Sequence, residues 1–163
     1  MRTRSNPVTV RTARPEDIDA IIAITEEVFA PFALEGLIAR KLGTSDSVSW
    51  IDIKAQDLRR ELIGGCDVCF VAEMGGRIVG YATNYINQLA SRGTIANLAV
   101  SAACQGLGVG RLLLERSIER FRELGLKQAK IETLECNETG QHLYTSVGFQ
   151  EVVRQIHYIM PLD

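Results

Sequence analysis

The hydrophobic and polar positions of the first third of the chain follow two different periods. Valines alternate with polar neighbours over residues 8–13, which predicts a strand. After it, apolar residues recur every three or four positions, as on one face of a helix that begins at Pro15 and ends at Pro31. Two further helices are predicted over residues 34–42 and 53–63.

The rest of the chain alternates between strand-like and helix-like segments. Strands are predicted over residues 68–73, 78–87, 93–100, 130–136, 149–153 and 156–161, and helices over residues 111–124 and 139–147. Three strands of antiparallel type therefore precede a β-α-β crossover, which should be right-handed and parallel. We expect an α+β fold, with a mixed but mostly antiparallel sheet of six or seven strands and helices on both faces.

Length and composition limit the classes of protein that fit. The chain has 163 residues, so we expect one domain over residues 1–163, with residues 1–7 as a flexible tail. No apolar run approaches the ~18 residues that span a bilayer, and no targeting segment is evident, so we expect no membrane association and a cytoplasmic location. A net charge of -2 and an aromatic content of 6% give no sign of nucleic-acid binding.

Cys66 and Cys69 have the C-x-x-C spacing that some metal and redox sites use. They lie at the start of a predicted strand, where side chains three residues apart face opposite sides. No second such pair or histidine cluster completes a metal site, so structural cysteines are favoured and no metal is expected.

A glycine-rich loop connects a predicted strand to the helix at 111–124. Gly106, Gly108 and Gly110 fall where the first backbone N–H groups of a helix lack partners, so that an anion can approach them closely. The spacing is not that of the Rossmann fingerprint, and the Gly-Lys-Ser/Thr of a P-loop is missing. A plain turn and a pyrophosphate site of another type remain.

The loop resembles a known family motif. Gln105-x-x-Gly108-x-Gly110 is similar to the Q/R-x-x-G-x-G/A motif of the GNAT superfamily of N-acyltransferases, and residues 137–149 resemble that family's N-x-x-A/G-x-x-L-Y-x-x-x-G-F signature. Residues 10–17 are also similar to the family's first strand and helix. The two main motifs occur in order over residues 95–153, and this is far more specific than either motif alone.

The resemblance implies a binding site for acetyl-CoA as acyl donor. Its residues would be Leu98, Ala99, Val100, Gln105, Gly106, Leu107, Gly108, Val109, Gly110, Arg111, Asn137 and Tyr144. Backbone amides over 105–111 would hold the pyrophosphate, and strand 98–100 would pair with the pantetheine arm. The roles of two residues stay open. Arg111 either reaches a phosphate or is solvated. Tyr144 either acts as a general acid or packs with its hydroxyl on a backbone carbonyl.

By the same resemblance, the reaction is direct transfer of acetyl from acetyl-CoA to an amine, with the oxyanion held by a backbone N–H near Leu98. Glu132 is the candidate base. The alternatives are a water oriented by Asn97 or no protein base at all. Glu135 lies nearby, and His142 should point elsewhere. Two other classes are open: a non-catalytic acetyl-CoA sensor, and an acyltransferase for a longer acyl-CoA.

The acceptor is expected to be a small-molecule or peptide amine bound by residues 30–65 and 150–160. Two interpretations of the acidic residues in this region remain. They form an acidic mouth, that is, an acidic entrance for a cationic amine, or they lie on a solvated helix face. The residues are Glu35, Asp46, Asp52, Glu61 and Asp67. Trp50 would line this mouth or cover the core. The predicted final strand leaves a homodimer open.

Overall fold

The computed structural model describes residues 7–31, 33–43, 48–65 and 68–162. Ten helices and strands are found there, together with 3-10 turns at Pro15–Asp17 and Ala102–Cys104. The strands are β1 (Val8–Thr12), β2 (Phe70–Met74), β3 (Arg77–Asn87), β4 (Arg92–Val100) and β5 (Gln128–Ile131). The helices are α1 (Ile18–Phe29), α2 (Leu34–Leu42), α3 (Trp50–Gly65), α4 (Val109–Glu123) and α5 (Glu138–Val147).

The described strands form one sheet in the order β1-β2-β3-β4-β5. The first four pair antiparallel, and β4 pairs with β5 in parallel, from Arg92 opposite Gln128 to Ile95 opposite Ile131. Helix α4 makes the crossover between β4 and β5. The expected mixed, mostly antiparallel sheet is confirmed.

Helices cover both faces of the sheet, as expected. On one face, α1 and α3 pack Ile21 and Leu58 against Tyr81. On the other face, α4 packs Leu113 against Phe70. Alternate residues of β2 and β3 enter the two cores, because successive strand side chains point to opposite faces.

Gly93 shows how closely α4 crosses the sheet. A Cβ added at Gly93 would lie 2.4 Å from the ring of Phe121, which is 2% exposed. A side chain at this position therefore conflicts with a buried ring of α4, and glycine is the residue that fits.

An ion-pair network ties β1 to the start of α1 and to β2. The guanidinium of Arg11 donates to both carboxylate oxygens of Asp17, at 2.7 and 2.9 Å, and to Glu73 at 2.7 Å. Asp17 is 5% exposed and also accepts the Arg14 backbone N–H. The hydrogen bonds from Arg11 lower the pKa of the Asp17 carboxyl below its usual value.

The number of strands differs from the prediction. Residues 149–162 contain no strand, and the strand predicted over 130–136 ends at Ile131, so the sheet has five strands in the described part of the chain. The alternation over 152–162 is real, but alternation gives a strand only where a neighbouring edge accepts its hydrogen bonds. Within the described ranges, no backbone hydrogen bond joins residues 150–162 to a strand.

Some expectations fall on residues outside the described ranges. These are residues 1–6 of the predicted tail, the loop with Asp46, and Cys66 and Asp67. No helix in the described ranges is both long enough and apolar enough to cross a bilayer. The single domain and the cytoplasmic location stay predictions.

Candidate functional site

An opening between β4 and β5 forms a cavity. The two strands pair only as far as Ile95 and Ile131, although β4 continues to Val100. The cavity beyond this last pair measures about 210 Å³ and includes Leu98 from β4 and Tyr144 from α5. Its remaining wall comes from the loop before α5 and from the ends of the first three helices, including Phe29, Leu34 and Lys54. The sheet thus leaves one edge of β4 unpaired inside a concave site.

The backbone of Leu98 faces this cavity. The Ser101 N–H donates to the Val79 carbonyl of β3 at 2.9 Å. In an antiparallel strand, the backbone N–H and C=O groups of alternate residues point to the same side. Ser101 points its N–H to β3, so Leu98 and Val100 point their backbone groups away from β3. Gln105 Nε2 donates to the Val100 carbonyl at 3.0 Å, so that carbonyl is already used.

The glycine loop presents free donors at the far end of this edge. Gly108 caps α4 with φ 82°, and Gly106 has φ 76°. The backbone N–H groups of residues 106–111 have no acceptor within the described ranges. A Cβ added at Gly106 or Gly108 would meet no atom within 4 Å, so the space beside the loop is open. This arrangement suits an anion, which the helix dipole also favours.

Arg111 is oriented by protein contacts rather than left in solvent. Its guanidinium donates to the Ser146 hydroxyl of α5 at 2.7 Å and lies 3.5 Å from Glu115. The side chain is 44% exposed. The choice between a phosphate contact and a solvated side chain therefore stays open.

Asn137 and Tyr144 come together around Gly140. Asn137 is the N-cap of α5: its Oδ1 accepts the Gly140 N–H at 3.0 Å, and its Nδ2 donates to Thr133 Oγ1 at 2.9 Å. A Cβ at Gly140 would lie 2.6 Å from Asn137 Nδ2 and 3.0 Å from the Tyr144 hydroxyl. Both side chains line the cavity.

The Tyr144 hydroxyl makes no hydrogen bond within the described ranges, so the expected alternative, a bond to a backbone carbonyl, is not seen there. Its ring contacts Phe149 edge to face, with centroids 6.5 Å apart. Burial raises the pKa of the Tyr144 phenol further above neutral pH, where a tyrosine is protonated in any case. A protonated hydroxyl without a partner, at a cavity wall, is available as a proton donor.

The acidic residues near β5 differ in position. Glu132 lines the cavity one residue beyond β5, but its side chain is 66% exposed and lies 2.9 Å from Lys130 Nζ. This ion pair raises the pKa of the Lys130 ammonium. Glu135 instead pairs with Arg154 outside the cavity, and His142 is exposed.

A polar cluster behind the cavity was not predicted. Asn97, 6% exposed, uses its Nδ2 to donate to Thr83 Oγ1 at 2.7 Å and to Glu61 Oε2 at 2.9 Å. Both amide hydrogens are therefore engaged, and Oδ1 stays available to a donor in the cavity. One signal was present in the sequence: Lys54, which lines the cavity, and Glu61 are seven residues apart on α3, so they share a helix face.

The proposed acidic mouth is only partly assembled. Glu35 lines the cavity, and Glu61 lies behind it, bonded to Asn97. Asp52 instead accepts hydrogen bonds from Ser49 at the start of α3. Trp50, the first residue of α3, is half-buried and is not among the residues lining the cavity.

Two of the cysteines, Cys69 and Cys104, are buried, whereas Cys136 is exposed. Within the described ranges no cluster of three or more potential metal ligands occurs. The buried pair packs within the two main cores of the sheet.

The sequence matches the model of the acetyltransferase (GNAT) family over residues 37–149, well over half of the chain. The chain therefore belongs to the GNAT family. The match includes β4, β5, the glycine loop and α5, whereas the cavity residues Phe29, Ala33, Leu34 and Glu35 lie before it.

Curated relatives carry several acetyltransferase names. Mycothiol acetyltransferase of Propionibacterium freudenreichii is 27% identical over 149 residues, which cover 89% of this chain and 44% of the relative. The ribosomal protein bS18-alanine N-acetyltransferase of Haemophilus influenzae is 33% identical over 86 residues, or 52% of this chain and 57% of the relative. The chain thus spans about half the length of these curated relatives.

Solved structures share the fold. PaiA N-acetyltransferase of Thermoplasma acidophilum, solved in complex with coenzyme A, has a TM-score of 0.72 at 18% identity, covering 88% of this chain and 90% of that one. At this identity the likeness is evidence of a common fold only.

Proposed function

We propose that this chain is an N-acetyltransferase that moves the acetyl group of acetyl-CoA to a primary amine of a small molecule or peptide. Acceptor and donor bind together, and no acyl-enzyme forms. The observation that carries the proposal is the opening between β4 and β5. There an unpaired strand edge at Leu98, the free N–H groups of the glycine loop and the unbonded Tyr144 hydroxyl lie along one cleft.

The residues present fit the acyl donor. The N–H groups of residues 106–111 would hold a pyrophosphate, because they lack acceptors and face open space. The unpaired backbone of Leu98 would hydrogen-bond the pantetheine amides as an added strand does. Acetyl-CoA supplies an activated thioester, whose carbonyl oxygen would receive a backbone N–H from this edge during attack.

Two proton transfers accompany the reaction. Tyr144 donates its proton to the departing thiolate, because its hydroxyl is protonated at neutral pH, lines the cavity and has no hydrogen-bond partner within the described ranges. The acceptor ammonium must first lose a proton, either to Glu132 or to a water held at Asn97 Oδ1. Lys130 competes for the Glu132 carboxylate, which favours the water route.

The charges around the cavity suggest how an acceptor is held. Glu35 and Lys54 both line it, and neither has an ion-pair partner within the described ranges. An acceptor with an amine and an anionic group would complement this pair. Amino acids and peptides with free N-termini meet that condition. The name of the bS18-alanine N-acetyltransferase relative is consistent with a peptide amine.

The proposal is tested by measuring coenzyme binding and turnover on one preparation. Calorimetry gives the affinity for acetyl-CoA, and release of the free thiol is then followed with amines, polyamines, amino acids and peptide N-termini. Binding with release on one amine class supports the proposal and defines the acceptor. Binding without release on any amine favours the sensor, faster release from a longer acyl-CoA favours that alternative, and absence of binding refutes the assignment.

A further inference from the structure

A buried hydrogen-bond cluster lies directly behind the cavity and joins α3 to the sheet. Thr83 of β3 and Asn97 of β4 are cross-strand partners, 1% and 6% exposed, and Asn97 Nδ2 donates to Thr83 Oγ1 at 2.7 Å. The same Nδ2 donates to Oε2 of the half-buried Glu61 of α3 at 2.9 Å. Asn97 lines the cavity, whereas Thr83 and Glu61 do not. The cluster therefore reaches the cavity through one side chain.

The two partners of the Asn97 amide differ in what they permit. A threonine hydroxyl both donates and accepts, so Thr83 is able to bond either end of the amide. An ionised carboxylate only accepts, so Glu61 bonds the Nδ2 end and repels the Oδ1 end. Glu61 is thus the group that decides which way the amide is turned. It holds Nδ2 on the side of the cluster and leaves Oδ1 for the cavity.

The freed oxygen lies beside the place where the acyl donor would react. Asn97 Oδ1 makes no hydrogen bond within the described ranges, because both bonds of this amide come from Nδ2. Asn97 directly precedes Leu98, whose unpaired backbone would hold the pantetheine arm. Since Asn97 bonds to α3, its side chain lies on the face of the sheet that α1 and α3 cover. A donor group that enters from this face would complete the hydrogen bonding of Oδ1.

We propose that Glu61 is a positioning residue, which turns Asn97 so that Asn97 Oδ1 receives an N–H group of the acceptor amine. The inference rests on the proposed function and adds a recognition element to it. Asn97 selects an acceptor that brings an N–H donor to this point, and not only a positive charge. An amide oxygen has two lone pairs, so it accommodates both the amine and a water that takes the amine's proton.

The orientation of the amide is tested by NMR on the full chain without substrates. The side-chain NH2 signals of Asn97, assigned by their loss in Asn97→Asp, should exchange with water slowly, unlike those of the exposed Asn87. Glu61→Gln keeps the size of the side chain but donates as well as accepts, so the Asn97 amide is free to turn and its exchange should approach that of Asn87. Asp57→Asn makes the same acid-to-amide change on α3 outside the cavity lining and should leave the Asn97 signals unchanged. Fast exchange in the wild type, or slow exchange in Glu61→Gln, overturns the proposal.

The contact with an amine is tested with methylammonium, which has N–H groups, and tetramethylammonium, which has the same charge and none. Titration of the Leu98 backbone amide signal gives both affinities. The wild type should bind methylammonium roughly tenfold more tightly, the effect of one hydrogen bond to a charged group. Taking the ratio of the two affinities cancels the change of charge in Glu61→Gln, and this ratio should fall towards one in that variant. The double variant Glu61→Gln/Asn97→Asp should restore the ratio, because its new carboxylate presents an oxygen to the cavity whichever way it is turned.

The results separate this inference from the proposed function. Equal affinities of the wild type for the two cations, binding of neither, or a ratio that Glu61→Gln leaves unchanged each refute the role of Glu61 and Asn97. Calorimetry with acetyl-CoA on the same wild-type sample tests the proposed function. Acetyl-CoA binding with equal affinities for the two cations overturns this inference alone, whereas absence of acetyl-CoA binding overturns the proposed function.

Discussion

Replacing Gly108 by alanine separates binding of the coenzyme from stability of the fold. Gly108 caps α4 with φ 82°, a left-handed conformation that costs an L-residue with a side chain about 1–2 kcal/mol. We therefore expect the melting temperature to fall by roughly 2–8 °C for a domain of this size. The new Cβ would also stand in the open space beside the N–H groups of the loop, where no protein atom lies within 4 Å.

The expected loss of affinity follows from the donors that the Cβ would block. A hydrogen bond to a charged group contributes about 1.5–3 kcal/mol. Loss of one such bond to a phosphate should weaken acetyl-CoA binding roughly tenfold to a hundredfold, since about 1.4 kcal/mol corresponds to a factor of ten.

Gly125 provides a matched control at the other end of α4. It has φ 72°, and an added Cβ there likewise meets no atom within 4 Å. Gly125→Ala should therefore lower the melting temperature by a similar amount without changing the affinity for acetyl-CoA. Calorimetry and thermal unfolding of both variants make the comparison. Equal affinities of Gly108→Ala and Gly125→Ala would show that the loop does not bind the phosphates.

Three other substitutions test the remaining parts of the structure. Tyr144→Phe should lower turnover by about 10²–10⁴, the usual contribution of a general acid, with the Kd of acetyl-CoA nearly unchanged; retained turnover would mean that another group protonates the thiolate. If Glu132 is the base, Glu132→Gln should remove the fall of the reaction rate at low pH. Glu135→Gln, outside the cavity, should leave the dependence of the rate on pH unchanged. Asp17→Asn should cost roughly 2 kcal/mol through the lost charged hydrogen bonds to Arg11. The lowered pKa of Asp17 means that this contribution is full above about pH 4 and is lost as the pH falls through the folded-state pKa, so acid denaturation of the variant should be less steep.

Elements defined by local periodicity were predicted well. Helix α2 has the predicted bounds, and β3 and β4 begin within one residue of their predicted starts. These segments carry their own signals, because apolar spacing and turn glycines are properties of neighbouring residues. The glycine loop was found for the same reason, since its donors and its left-handed positions lie within a few consecutive residues.

Features that depend on distant contacts were not predicted. Residues 150–162 alternate like parts of a strand, but whether they pair depends on an edge that their own sequence does not specify. The cluster of Asn97, Thr83 and Glu61 joins residues that are 14 and 36 positions apart, and nothing local to Asn97 indicates which way its amide is turned.

Two residues that the resemblance assigns to the coenzyme also hold the cleft in shape. Gln105 binds the Val100 carbonyl, which fixes the start of the glycine loop against the unpaired end of β4. Asn137 caps α5 and binds Thr133, which fixes the loop on the opposite wall. Because these bonds form within the protein alone, the shape of each wall is set before a ligand arrives. Substitution of Gln105 or Asn137 should therefore alter both the shape of the cleft and any direct contact, whereas the Gly108 variant acts on the contact with the phosphates.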